Sequence, residues 1–235
     1  MNARAEELGL DNSHFVNATG WPAEEHVMSA QDLAKLAQVL IREFPDYYPL
    51  FAEKTFTYNG ITQDNRNPLL SDDIGADGLK TGHTEEAGYG LTASAKRGDR
   101  RLVLVLNGLE SETQRAREAE RLLEWGFRSF DSVVLFQSQE RVEEAPVWLG
   151  ERASVPLVLQ EKLAVTMPRP ARRQMLVSIR YDSPVPAPIA KGDKLGMIQV
   201  SAPGFETVER PLVAGAEISA LGPVGRVMAV TRHWL

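Results

Sequence analysis

The 235-residue sequence contains no cysteine. That excludes disulfides, thiolate metal sites and thiol catalysis, and it fits a reducing or an oxidising compartment equally. Long apolar runs are absent as well, and nothing approaches the ~18 uninterrupted apolar residues of a membrane-spanning helix. Positive charge is in deficit: Lys and Arg total 26 against 32 Asp and Glu, a formal charge of −6. The electrostatic footprint of a nucleic-acid binder is therefore missing, and no nucleic-acid partner is expected. Histidine is scarce. His14, His26, His83 and His233 show neither HxH nor HxxxH spacing, so a metal site is not expected, and no motif calls for a cofactor. What is present is ordinary for a globular chain, with 43% hydrophobic and 25% charged residues. At about 100–200 residues per domain, the length allows one large or two modest domains.

The first residues place Met1, Ala5 and Leu8 on one helical face, and Gly9 suits the position just past a helix end. No N-cap residue or leader precedes this segment. The chain thus reads as opening inside a helix, and we expect a piece of a longer polypeptide. Ser29 suits an N-cap, with Asp32 in the first turn and an apolar stripe of Leu33, Leu36, Ala37, Leu40 and Ile41 running to Pro45. Residues 54–61 are strand-like, with Phe56 and Tyr58 on one face and Asn59-Gly60 signalling a type I′ turn. Residues 63–77 are polar and turn-rich and read as a loop. Strand patterns over 78–82, 89–96 and 101–107 follow, separated by Gly88 and Gly98-Asp99, which predicts an antiparallel meander. The charged run 96–101 reads as its solvated hairpin tip. A helix is expected over 113–127, burying Ala116, Ala119, Leu122, Leu123 and Phe127.

Near residue 130 the texture changes. Short apolar runs at 133–136, 155–158, 163–167, 176–181 and 195–200 are broken by proline and glycine, with no convincing helix over 131–218. That is the pattern of a small all-β module. Arg169, Arg172 and Arg173 fall in a proline-containing loop of it, exposed and open to an anionic partner. The fold expected is therefore α+β: an antiparallel sheet with helices over 1–129, a small sandwich-like β domain over 130–221 and a short tail over 222–235. In the tail, Val224, Val227, Met228, Thr231, Trp234 and Leu235 gather on one helical side beside Arg226, Arg232 and His233, although Gly222, Pro223 and Gly225 weaken its first turn. A basic amphipathic end of this kind suits a membrane surface.

Lys80-Thr81-Gly82 carries the chemistry. A lysine ammonium places positive charge beside a reacting group, a threonine hydroxyl can bind a carboxylate, and a glycine lets the strand backbone approach a ligand closely. The alternative is an ordinary edge strand. Context adds Asp77-Gly78-Leu79 before the triplet, His83-Thr84 after it, and then Ala87-Gly88-Tyr89, Asn65-Arg66-Asn67, Leu123-Glu124-Trp125-Gly126-Phe127 and Pro146-Val147-Trp148. In this order these segments resemble the D-alanyl-D-alanine carboxypeptidase family of low-molecular-mass penicillin-binding proteins, whose motifs are Ser-x-x-Lys, Ser-x-Asn and Lys-Thr-Gly.

The resemblance implies a penicillin-binding, transpeptidase-like domain and removal of the terminal D-alanine from peptidoglycan stem pentapeptides through a serine acyl-enzyme. It also implies a place on the periplasmic face of the cytoplasmic membrane. Lys80, Thr81, Gly82 and His83 match the third motif and its neighbours. Arg115 matches the family's carboxylate-binding arginine, a role for which the guanidinium fork is suited. Arg117 is a neighbouring candidate for it, and an ordinary helix charge paired with Glu112 or Glu118 is the competing reading. Arg66 either lines the same cleft or lies on a surface loop. His14 and His26 read as structural. No Ser-x-x-Lys or Ser-x-Asn occurs in the sequence, so no catalytic nucleophile is assigned. The chain alone is expected to be inert, with β-lactam acylation requiring the serine segment. The alternatives are a β-lactamase-like hydrolase and a non-catalytic wall-binding module.

Overall fold

Ser29 begins the longest helix of the N-terminal half as an N-cap, its hydroxyl accepting the Asp32 amide at 3.1 Å. The computed structural model describes residues 1–233 and divides into two compact units, 1–128 and 129–235. The first unit opens with α1 (Asn2–Glu7), after which Gly9 adopts φ +67°, and a small ribbon of β1 (Ser13–His14) and β2 (Val27–Met28). In α2 (Ala30–Glu43), Ala37, Leu40 and Ile41 pack with Tyr48, Phe51, Leu79 and Val103. Asp32 does more than meet the helix dipole. It is fully buried and accepts the Asn12 amide at 2.9 Å and the Ser13 hydroxyl at 2.8 Å, tying β1 to α2.

The strand expected over 54–61 is a hairpin of β3 (Thr55–Tyr58) and β4 (Ile61–Asp64). Asn59 (φ 52°) and Gly60 (φ 79°) are both left-handed, as a type I′ turn demands. Its apolar face is not core, since Phe56 and Tyr58 are exposed. The expected loop over 63–77 needs correction. It begins inside β4 and contains a 3₁₀ turn, Pro68–Ser71, that buries Leu69 and Leu70.

The central sheet is the antiparallel meander of β5 (Ala76–Thr84), β6 (Gly88–Arg97) and β7 (Arg100–Leu109). Leu91, Ala93 and Ala95 of β6 share a core with Leu69, Ile74 and with Ala119, Leu123 and Phe127 of α3 (Glu112–Ser129). The β6–β7 turn is exposed at Lys96, Gly98 and Asp99, as a solvated tip should be, but its arginines are drawn onto the protein. Arg97 pairs with Glu124 and lies 4.4 Å over the Phe127 ring, and Arg100 donates to the Phe127 carbonyl at 3.1 Å.

The second unit contains β8 (Phe130–Phe136), β9 (Arg141–Trp148), β10 (Ser154–Val158), β11 (Leu163–Pro168), the one-turn α4 (Arg169–Arg172), β12 (Leu176–Tyr181), β13 (Val185–Pro186), β14 (Lys194–Ala202), β15 (Phe205–Ala214) and α5 (Pro223–His233). Its six-stranded sheet runs β12-β14-β15-β10-β9-β13, and β8 pairs with β11 as a separate ribbon. Leu163, Val165 and Met167 of the ribbon share one core with Val155, Leu157, Ile198, Val200 and Leu212 of the sheet, which makes the unit a two-layered β structure. The helix-free expectation fails at α4, where Pro170 sits in the first turn and suits a helix start. There Arg169 and Arg172 are not loop charges: both bond Asp131 at 3.2 Å. Pro223 likewise opens α5 instead of weakening it. Trp234 and Leu235, named above for the tail's apolar side, lie outside the described residues.

Candidate substrate-binding cleft

Strand β5 is held from behind before it reaches the site. Asp77 receives both guanidinium nitrogens of Arg101, at 2.6 and 2.7 Å, and the Tyr48 hydroxyl at 2.9 Å. Arg101 also bonds Ser94 at 2.7 Å, so the clamp crosses all three strands. Burial, with Asp77 beside it, pushes the Tyr48 phenol up to about 12, outweighing Ser94 and Arg101, so it stays a neutral donor. The Asp77 carboxylate in turn raises the Arg101 pKa. Gly78 is required here because a Cβ would lie 2.7 Å from the Tyr48 hydroxyl. Asn67, itself buried, bonds the Gly78 carbonyl at 2.9 Å.

Beyond the clamp, β5 forms one wall of a cleft of about 970 Å³. Arg66, Lys80, Thr81, Gly82, His83 and Arg115 all line it. Lys80 is exposed and donates to the Thr81 carbonyl, whereas Thr81 is buried. His83 stacks on Tyr89 at 3.9 Å, directly opposite it in the β5–β6 register, which fixes the imidazole plane. Arg66 is exposed, and Asn65 beside it ties the segment to the Glu53 carbonyl at 2.9 Å.

Arg115 is no ordinary helix charge. It is 4% exposed, its guanidinium lies 5.6 Å over the Tyr89 ring, and its one ion pair among the described residues, with Glu112, is loose at 3.6 Å. Its Nε is buried without a hydrogen-bond partner among the described residues. Such a buried cation costs free energy unless an anion completes it. Arg117, two residues on, is exposed and does not line the cleft.

Sequence reasoning missed another part of the cleft wall, Phe15 and residues 17–22. Asn17 organises it: its side-chain oxygen accepts the amides of Thr19, Gly20 and Trp21, and its side-chain nitrogen donates to the Trp21 carbonyl at 2.9 Å. His26 accepts the Val16 amide at 3.2 Å and meets Phe15 edge-on, so it braces this wall while also lining the cleft. The turn-forming run Asn17-Ala18-Thr19-Gly20 was the available signal. Among the described residues no group of three or more histidines and carboxylates could hold a metal.

Three cations, a buried hydroxyl and exposed strand backbone suit a ligand carboxylate. Comparison with known proteins bears on the family. Residues 1–110 match the family model for D-alanyl-D-alanine carboxypeptidase, and residues 130–220 match that for the penicillin-binding protein 5 C-terminal domain. The chain is 36% identical over 240 residues to the D-alanyl-D-alanine carboxypeptidase DacA of Escherichia coli (strain K12), covering 100% of this chain and 60% of that protein. The structure is similar to penicillin-binding protein 5 from Haemophilus influenzae, with a TM-score of 0.86 and 32% identity over 93% of this chain and 64% of the other. It is also similar to the ampicillin-bound form of penicillin-binding protein D2 from Listeria monocytogenes, with a TM-score of 0.51 and 33% identity over 54% of each chain. The chain thus spans less than two thirds of the length of these fuller relatives, and it belongs to the D-alanyl-D-alanine carboxypeptidase family.

Proposed function

We propose that the cleft receives the terminal carboxylate of peptidoglycan stem peptides, and that the chain is the carboxylate-recognising part of a serine-type D-Ala-D-Ala carboxypeptidase. The observation that carries this reading is Arg115, buried in the cleft with an unpartnered Nε. Its fork takes the carboxylate, with Thr81 as hydroxyl partner and the Gly82 backbone open to the peptide. Lys80 supplies positive charge where an acyl transfer would develop negative charge. His83, fixed on Tyr89, and Arg66 line the approach.

Acyl transfer needs a serine and a base within hydrogen-bond reach. This sequence has no Ser-x-x-Lys or Ser-x-Asn, so binding and chemistry separate: this chain binds peptide without cleaving it, and β-lactams acylate only a chain that carries the serine. Matches over both units disfavour the single-domain β-lactamase alternative. The reading places the chain on the periplasmic face of the bacterial inner membrane. Among the described residues no helix is long and apolar enough to cross a membrane. Peripheral contact through α5 is supported by the exposure of Val224, Val227 and Met228, which follow i, i+3, i+4 spacing beside Arg226.

Calorimetric titration with a pentapeptide ending in D-Ala-D-Ala tests the reading. Binding should weaken about tenfold or more in Arg115→Ala, while a fluorescent penicillin leaves the chain unlabelled. Equal affinity of the variant, or a labelled band, overturns it.

A further inference from the structure

We propose that the cleft's rim is an ammonium subsite formed by Trp21, Glu85 and Glu86, so that the ligand is a zwitterion, with its carboxylate at Arg115 and a free side-chain amine at the rim. This deepens the carboxylate reading above and rests on it.

Trp21 is 75% exposed, yet Asn17 holds its backbone at both the amide and the carbonyl. Among the described residues Trp21 lies outside every hydrophobic cluster, and a large aromatic side chain on a tied loop at a cleft is preorganised for a ligand. The β5–β6 connection brings Glu85 and Glu86 to the same cleft, both exposed. Thr84 braces that turn by accepting the Ala87 amide at 2.9 Å. Neither glutamate forms an ion pair among the described residues, and the pair that Arg115 makes is with Glu112. The two rim carboxylates are therefore not spent on the cleft's own arginines. A π-face and two carboxylates together attract a cation, through the ring quadrupole and charge-assisted hydrogen bonds. Acylation of the ligand amine would remove its charge and lose both contributions. The cleft would then favour linear peptides over peptides already cross-linked through that amine.

The test uses the full chain and two pentapeptides ending in D-Ala-D-Ala, one with a free lysine amine at the third position and one with that amine acetylated. Acetylation should weaken binding about fivefold. The preference should fall to nearly unity in the Glu85→Gln/Glu86→Gln double variant and shrink in Trp21→Ala, with circular dichroism unchanged because all three side chains are exposed. Equal binding of the two peptides to the wild-type chain overturns the ammonium subsite and leaves the carboxylate reading standing, provided Arg115→Ala still loses the free peptide. A preference that survives in the glutamine and alanine variants overturns it too. So does a Trp21→Ala variant that weakens both peptides alike, because Trp21 would then be an apolar contact. Failure of both peptides to bind wild-type chain brings down the carboxylate reading and the subsite together.

Discussion

The two units solve burial differently. Every buried polar or charged residue among those described lies in the first: Asp32, Asn67, Thr81, Ser94 and Arg115. The second unit buries none among its described residues and packs a single continuous apolar core from both its β layers. In the first unit the apolar core is split between the two faces of a three-stranded sheet, and polar clamps bridge what packing leaves unfilled. Buried polar groups are expensive unless partnered, and a unit that carries so many is using them to place something. Here they place β5 and the cleft wall. The second unit has the economy of a scaffold.

The sharpest way to break this contrast is a cavity in the second unit. Leu157 is completely buried at the centre of its core, and Leu157→Ala should cost about 2–5 kcal/mol, read by urea unfolding. A cost below 1 kcal/mol would mean that the core is looser than its burial implies. In the first unit the corresponding stress point is polar. A double-mutant cycle on Arg101 and Asp77, using Arg101→Ala and Asp77→Ala, should give a coupling of about 1.5–3 kcal/mol. Both side chains are about one quarter exposed, so solvent screens the pair only partly. The clamp also sets an alkaline limit. Because the Tyr48 pKa is raised in the folded state to about 12, the folded chain favours the neutral phenol. That contribution is complete below pH 10, the ordinary phenol value, and is lost as pH rises from there through about 12. Tyr48→Phe should remove the last step of the tyrosinate absorbance titration. An unchanged titration would separate Tyr48 from the clamp.

The parts of this design that repeat along the chain were legible in the sequence. Ser29 and Asp32 marked α2, Asn59-Gly60 marked the hairpin turn, and the meander, α3 and the change of texture near residue 130 followed from periodicity. Lys80, Thr81, Gly82 and His83 were legible together because residues on one strand stay together whatever the fold, whereas Arg66 and Arg115 came from the family resemblance. Contacts between distant segments were not legible. Charge patterns made Arg97, Arg100 and Arg101 look solvated, yet each is drawn in by a partner 24 to 53 residues away. The Asn17–Trp21 segment was legible as a turn but not as part of the site, since nothing local says that a turn more than fifty residues before Lys80 lines the same cleft. Arg169 and Arg172 repeat the lesson in the second unit, where Asp131 comes from the start of the β module.

The smallest effect sharpens the comparison from the other side. If the second unit draws its stability from apolar packing, its surface charges should contribute almost nothing. Arg141 and Glu144 pair at 3.1 Å on one strand, with side chains 67% and 39% exposed. Two such charges gain little in a high dielectric, give up side-chain freedom to hold one geometry, and are screened by salt. Arg141→Ala should therefore change stability by less than about 0.5 kcal/mol, and raising the salt to 1 M should abolish even that. Urea midpoints of the variant and the parent at low and high salt provide the measurement. A salt-sensitive loss above 1 kcal/mol would show that charge pairs support this β unit as well, and the division between a polar, site-bearing unit and an apolar scaffold would have to be redrawn.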